Sequence, residues 1–146
     1  MDSVSVREAE KIKVTKLLRC VGKRAVLLAL GGAVYYSMEI IWRGYSHWTM
    51  ALCGGICLMS IYRMNCLLCR KRLVLRAALG SGIITAVELV CGCIVNRALN
   101  WNVWDYSDVP LNLLGQICLP FTVLWFAICF PVCLLCNFLK TKCFHD

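Results

Sequence analysis

Charges fall along this chain in clumps, and the stretches between them are apolar and long. Residues 25–42 hold one charge, Glu39, and residues from about 45 to 62 hold no Asp, Glu, Lys or Arg. Residues 73–95 carry Arg76 near their start and Glu88 inside, and residues 110–139 carry no charge at all. About 20 apolar residues cross a bilayer core as a helix, within a range of about 17–25. The first three blocks fit that range. The fourth is too long for a perpendicular span and contains Pro120 and Pro131. A kink, a strong tilt or an interfacial extension is expected there. Composition agrees, with 60% hydrophobic residues and a mean hydropathy of +0.71, well above the soluble balance. A soluble fold burying four such blocks would have almost no polar surface left. The expected layout is a basic N-terminal segment at 1–24, a transmembrane domain at 25–139 and a short tail at 140–146.

The blocks are also written twice. YSHWTMALCGGICL at 45–58 and YSDVPLNLLGQICL at 106–119 share seven of fourteen positions at an offset of 61. Upstream, ALGGAVYYSME at 29–39 pairs with ALGSGIITAVE at 78–88 at an offset of 49, which aligns Glu39 with Glu88. Twelve extra residues (61 − 49) precede the second YS. Repeat 1 therefore covers about 25–70 and repeat 2 about 73–139. An internal duplication fixes architecture before any other feature. The expected fold is an all-α integral membrane protein, with four transmembrane helices forming two tandem parallel-repeat helical hairpins.

Charge sets the orientation. Seven cations precede the first block: Arg7, Lys11, Lys13, Lys16, Arg19, Lys23 and Arg24. Five more, Arg63, Arg70, Lys71, Arg72 and Arg76, surround the link between blocks two and three, and Lys140 and Lys142 follow block four. Only Arg43 and Arg97 fall in the other two loops, a split of fourteen to two. Positive charge concentrates on the cytoplasmic side. Both termini are expected there, in a multi-pass protein of the cell membrane. Two helices per copy then give both copies one orientation, as parallel repeats related by an axis along the membrane normal. Trp42, Tyr45 and Trp48 cluster at one outer loop, and Trp101, Trp104 and Tyr106 at the other, where amphipathic rings favour the lipid–water boundary. Within 1–24, Val14, Leu17, Leu18 and Val21 share a helical face. The segment reads either as a helix lying on an anionic leaflet or as charge that only sets topology.

GGAVYYSMEIIWRGYSHWTMALCGGIC at 31–57 and ITAVELVCGCIVNRALNWNVWDYSDVPLNLLGQICLPFTVLW at 84–125 resemble a bacterial family described as putative ABC-transporter permease, type IV, in its short clostridial form. The most specific run comprises Trp104, Asp105, Tyr106, Ser107, Pro110, Asn112, Gly115, Ile117, Cys118 and Leu119. The resemblance implies an integral membrane protein that serves transport. The chain has no GxxxxGK[ST] phosphate loop, so a permease of this kind needs a partner or an oligomer. Expected partners are the lipid bilayer, a second copy or another membrane subunit, and a separate ATPase as a further option. No nucleic acid, cofactor or catalytic residue is expected. Two alternatives stand beside transport: a non-catalytic membrane interaction or regulatory subunit, and an intramembrane lipid-acting enzyme using Glu39, His47, Glu88 or Asp105. No Ser–His–Asp or metal-ligand motif supports the last.

The two glutamates carry most of the functional weight. A carboxylate near mid-membrane costs about 2.5–3.5 kcal/mol on insertion scales, so it faces a partner or a cavity. Glu39 sits four residues before Arg43, the spacing of a helical ion pair, whereas Glu88 is deeper. The two either form a pseudo-symmetric pair that binds a cation, a proton or a cationic group, or each anchors its own hairpin through Arg43 or through Asn, Ser and Trp donors. An outward-opening pocket of Glu39, Arg43, His47, Glu88, Trp104, Asp105, Asn112 and Gln116 is expected. Ser107 or Asp108 is expected to cap the fourth helix, with Pro110 in its first turn and Asn112 and Gln116 on one face. His47 reads either as a proton relay or as an interfacial imidazole facing water. Most of the twelve cysteines read as small apolar residues. The CLLC pairs, Cys66/Cys69 and Cys133/Cys136, offer a zinc set only on paper, since Leu-Leu between the thiols suits a helix; palmitoylation is the other option.

The cation split makes a direct prediction. In a cysteine-free variant, a reporter cysteine at 98–103 should label from outside the cell, and one at 141–146 only after permeabilisation. Outside labelling at 141–146 with protection at 98–103 refutes this orientation.

Overall fold

A computed structural model of the chain describes residues 3–144. Four helices run in order: α1 (Ser3–Arg43), α2 (Trp48–Leu67), α3 (Leu73–Gly92) and α4 (Leu119–Phe138). Each is long and apolar enough to cross a membrane. Helix α3 continues through a π-helical turn at Cys93–Ala98, and α4 through another at Leu139–Phe144. Between α3 and α4 the loop holds a two-residue hairpin, β1 (Asn112–Leu113) paired antiparallel with β2 (Ile117–Cys118). The closest packing is within the pairs α1/α2 and α3/α4, with α2 joining the two hairpins. The 43–48 turn and the 99–118 loop lie at one end of the bundle, where Arg43 Nη1 donates to the Val103 carbonyl at 3.0 Å. The other end gathers most of the cations and is called the basic end below.

Helix boundaries follow local chemistry. α1 ends at Gly44, whose φ of +79° and amide bond to the Ile40 carbonyl at 2.8 Å form a left-handed glycine cap. His47, in extended backbone, then caps α2 by accepting from the Thr49 amide at 3.4 Å. α1 is one uninterrupted helix of 41 residues, about 60 Å at ~1.5 Å per residue. That is roughly twice the ~30 Å hydrocarbon core. Residues 3–24 therefore prolong the first span at the basic end, with no break between them and the apolar part of the helix.

The fourth apolar block departs from the expected helix. Its first part, residues 110–118, is loop and hairpin, and α4 starts at Leu119 with Pro120 in its first turn. Ser107, Asp108 and Pro110 therefore do not begin a helix, and Asn112 and Gln116 do not share a helical face. The cause is local. Leu111, Leu114 and Gly115 all adopt positive φ, which no right-handed α-helix contains. At Gly115 (φ +68°) a Cβ would stand 2.6 Å from both Asp105 Oδ1 and Ser107 Oγ, so only glycine fits. The YS…G–x–ICL block thus takes two forms, mostly helical in the first copy and a capped hairpin in the second.

The bundle is apolar inside and outside. Leu27, Cys57, Ile61, Ala77, Ile84, Cys129, Cys133 and Cys136 form its centre. Large apolar side chains including Val34, Leu52, Leu79, Val90, Val123 and Leu134 are exposed on every helix. Such an outer surface is stable against lipid, not water. Lipid gives helices no hydrophobic reason to associate, so close packing has to hold them. α1 and α2 achieve it through glycine. A Cβ on Gly54 would stand 2.6 Å from the Gly31 carbonyl, and one on Gly55 would stand 2.6 Å from that of Leu28. On α3, a Cβ on Gly80 would meet Cys129 Sγ of α4 at 2.8 Å.

Filling the α1/α2 contact should therefore separate the hairpin. Gly54→Leu is expected to destabilise the detergent-solubilised protein by roughly 3 kcal/mol or more, at the upper end for overpacking. Gly82→Leu, at a position with nothing within 4 Å, should stay within about 0.5 kcal/mol. Denaturant titration of both variants measures the difference; equal effects would show that glycine contact does not hold α1 to α2.

Candidate functional site

Helix periodicity places Tyr35, Glu39 and Arg43 on one face of α1, four residues apart. Glu39 pairs with Arg43 as expected and also accepts from Ser46 Oγ at 2.6 Å. Arg43 reaches onward to the Val103 carbonyl and lies over the Tyr45 ring, 5.0 Å from its centroid. One guanidinium thus ties the end of α1 to the loop before α4. Its Nε is buried and has no hydrogen-bond partner. A carboxylate, two hydroxyl-bearing neighbours and a cation meet here at the mouth of the bundle.

Glu88 lies deeper, only 3% exposed. Its Oε1 accepts from the Tyr35 hydroxyl at 3.0 Å and its Oε2 from Trp125 Nε1 at 2.8 Å. Tyr35 belongs to α1 and Trp125 to α4. The carboxylate therefore links the two hairpins rather than anchoring only its own. Tyr35 and Trp125 also touch each other, with ring centroids 5.8 Å apart.

On the far side of these rings is a cavity of about 320 Å³ between α1 and the start of α4. Tyr35, Trp125, Phe121 and Tyr106 form its aromatic wall, Met38, Ile41, Trp42 and Leu124 its apolar sides, and Glu39 with Arg43 its polar rim. Tyr106 stacks on Phe121 at 4.8 Å. Burial, and then the nearby Glu88, push the Tyr106 phenol above its ordinary pKa. The chemistry suits a ligand with an apolar body and one polar or charged end.

The eight residues expected to share one pocket separate into groups. Glu39 and Arg43 line the cavity, and Glu88 binds two of its wall residues from behind. Trp104 and Gln116 belong to a neighbouring buried network. Trp104 Nε1 donates to the Gln116 carbonyl at 3.0 Å, Asn96 Nδ2 donates to Gln116 Oε1 at 2.8 Å, and Asn96 Oδ1 accepts the Val103 amide at 2.7 Å. Trp104 is thus buried, not a boundary ring, while Trp42, Tyr45, Trp48 and Trp101 are exposed. His47 caps α2 and packs between Trp48 and Trp101. Asp105 and Asn112 stabilise the exposed loop. Asp105 Oδ1 accepts from the Ser107 hydroxyl and amide, which together hold its carboxyl below the usual range. Asn112 Nδ2 donates to the Ser107 and Val109 carbonyls.

Residues 36–145 match a family model described as putative ABC-transporter type IV. The chain belongs to this family. With four apolar helices, that makes it a multi-pass membrane protein of the transporter class. No curated protein and no solved structure matches the chain.

Sequence reading of this ABC-transporter-type chain missed Tyr35, Asn96, Phe121 and Trp125. Two signals were present. Tyr35 precedes Glu39 by one turn on the same face, and Trp125 is an indole deep in an apolar block, where its N–H requires an acceptor. Cys66, Cys69, Cys133 and Cys136 do not form a metal set: among the described residues no three His, Cys, Asp or Glu side chains converge on one point. Cys133 and Cys136 are fully buried in the bundle.

Asn96 offers a test of the loop's attachment. Asn96→Ala strands the Val103 amide and Gln116 Oε1, and each buried unpaired group costs about 1–3 kcal/mol. The variant should lose stability by that order, and the Trp104 fluorescence should shift to the red. Unchanged emission would show that this network does not hold the loop.

Proposed function

We propose that this protein is the membrane component of a small transporter, with both termini in the cytoplasm and the α1/α4 cavity opening outward. The supporting observation is the cavity itself. Its apolar and aromatic wall ends in a charged rim, Glu39 and Arg43, and two of its wall residues are fixed by the buried Glu88. A bare inorganic cation would find few oxygens there. The lining favours a small amphiphile, with its apolar part against Tyr35, Phe121 and Trp125 and its polar end at the rim. Glu39 and Arg43 would recognise that end by exchanging part of their mutual pairing. Glu88 would set the shape of the wall, because its two bonds hold rings from both hairpins. Energy would come from a separate ATPase or from a second subunit, since this chain has no phosphate-binding loop.

The enzyme alternative has less support. His47 and Asp105 are engaged in caps and turns. Among the described residues that line the cavity there is no nucleophile–base pair.

Glu39→Gln and Glu88→Gln keep shape and remove charge. Both proteins should insert and purify as the parent does. Glu39→Gln should weaken binding of a cationic amphiphile by about tenfold, the effect of ~1.4 kcal/mol. Glu88→Gln should change wall geometry and reduce transport. Binding of a fluorescent cationic amphiphile, read by quenching of Trp125, checks both. Full binding and transport in both variants would assign the glutamates a structural role only and remove the main support for this mechanism.

A further inference from the structure

The basic end of the bundle holds a second and larger cavity, of about 820 Å³. Three helices build it. Lys16, Arg19, Lys23 and Arg24 come from α1, Arg63 from α2, and Lys140 from the turn that extends α4. Among the described residues that line it, none is acidic. Even without Lys23, five cations around one concavity create a field that attracts anions. Topology alone asks only that cations lie on this side; it does not ask that three helices direct them into one hollow.

The rest of the lining indicates the kind of anion. Leu27 and Tyr62 form an apolar floor and are buried, and Met59 is beside them. Lys23 Nζ lies 5.6 Å from the Phe144 ring centroid, at the seam between α1 and the end of α4. On α1 the cations alternate with exposed apolar side chains, Leu17, Leu18 and Val21, each more than half exposed. The apolar span begins directly after Arg24. The hollow therefore sits where hydrocarbon gives way to headgroups. A soluble phosphate would gain nothing from the apolar floor and flanks. A lipid would use both parts, and basic pockets between spans at this depth suit acidic headgroups.

We infer that this cavity binds an anionic phospholipid of the adjoining leaflet, its phosphate among Arg24, Arg63 and Lys140 and its acyl chains along the exposed apolar side of α1. A lipid with two phosphates fits five cations better than one with a single phosphate. The inference does not depend on the transport reading: it concerns the opposite end of the bundle and different side chains.

Native mass spectrometry of the full chain in neutral detergent tests it, with phosphatidylcholine, phosphatidylglycerol and diphosphatidylglycerol as probes. The expected order of retention is diphosphatidylglycerol, then phosphatidylglycerol, then phosphatidylcholine, with about tenfold or more between first and last. Arg24→Gln with Arg63→Gln should cut retention of the acidic lipids by roughly tenfold, since each cation near the surface contributes about 1 kcal/mol. Arg70→Gln with Arg72→Gln removes two exposed cations from the same end but outside the cavity, and should change retention less than twofold. Equal losses in both double variants, or equal retention of phosphatidylcholine, would overturn the proposal. So would displacement of the lipid by millimolar inorganic phosphate, which would make the hollow a soluble-anion site. Photo-crosslinking of an acidic lipid to the unaltered protein decides the matter even where a variant fails to fold. Labelled peptides should fall in 16–27, 59–66 and 139–144; labelling elsewhere refutes the site.

Discussion

Every buried polar side chain in this bundle must find its partner within the protein, because lipid supplies neither donors nor acceptors. Among the described residues, three such networks lie at three depths, besides Ser81, whose hydroxyl donates to the Thr122 carbonyl at 2.8 Å. Near one end, Asn96 and Gln116 hold the loop carrying Val103 and Trp104. In the middle, Glu88 joins Tyr35 to Trp125. At the basic end, Arg76 donates to Asn65 at 2.7 Å and to Asn137 at 3.2 Å, while Asn65 donates to Asn137 at 2.8 Å. The middle and basic-end sets each draw on both hairpins, and a helix that rotated would strand a donor or an acceptor in hydrocarbon. Polar satisfaction thus selects the arrangement that generic apolar packing would leave open.

Glycine makes the arrangement dense enough for those bonds to form. α1 and α2 meet backbone to backbone at Gly31, Gly54 and Gly55, which brings Tyr35 within reach of the interior. Gly92 serves the other network in the same way. A side chain there would collide with the Gln116 amide, so the end of α3 can approach only as glycine. Close contact and hydrogen bonding are therefore one device in this chain. The glycines set the distance and the polar side chains set the register.

Much of this was legible in the residues. Four apolar blocks gave four helices, and Glu39 with Arg43 gave an ion pair by spacing alone. Partners distant in sequence were not legible. Glu88 could be read as needing donors, but Tyr35 lies 53 residues away and on the other hairpin. Arg76 counted as a loop cation, yet it is only 7% exposed, because two asparagines receive it. Hydropathy also failed at 110–118. That stretch is as apolar as a span, and the decisive information was stereochemical: one proline and three positive-φ positions in a row of leucines and glycine.

That failure bears on function, because the duplication is broken where the cavity opens. In the first copy the YS block enters α2 almost at once and fills its space with helix. In the second, residues 110–118 leave the helix, and α4 starts nine residues later than the apolar block does. Nine residues of helix would occupy about 14 Å along the axis. Beside α1, that length is replaced by a thin loop, with Tyr106 folded down onto Phe121. The space between Glu39 and Trp125 is bordered by Tyr106 and by the first turns of α4. Restoring helix there would require removing Pro110 and the left-handed backbone at Gly115, both within the segment that gives the second copy its distinct sequence. The departure from symmetry is therefore encoded in the chain, in the segment that leads into α4.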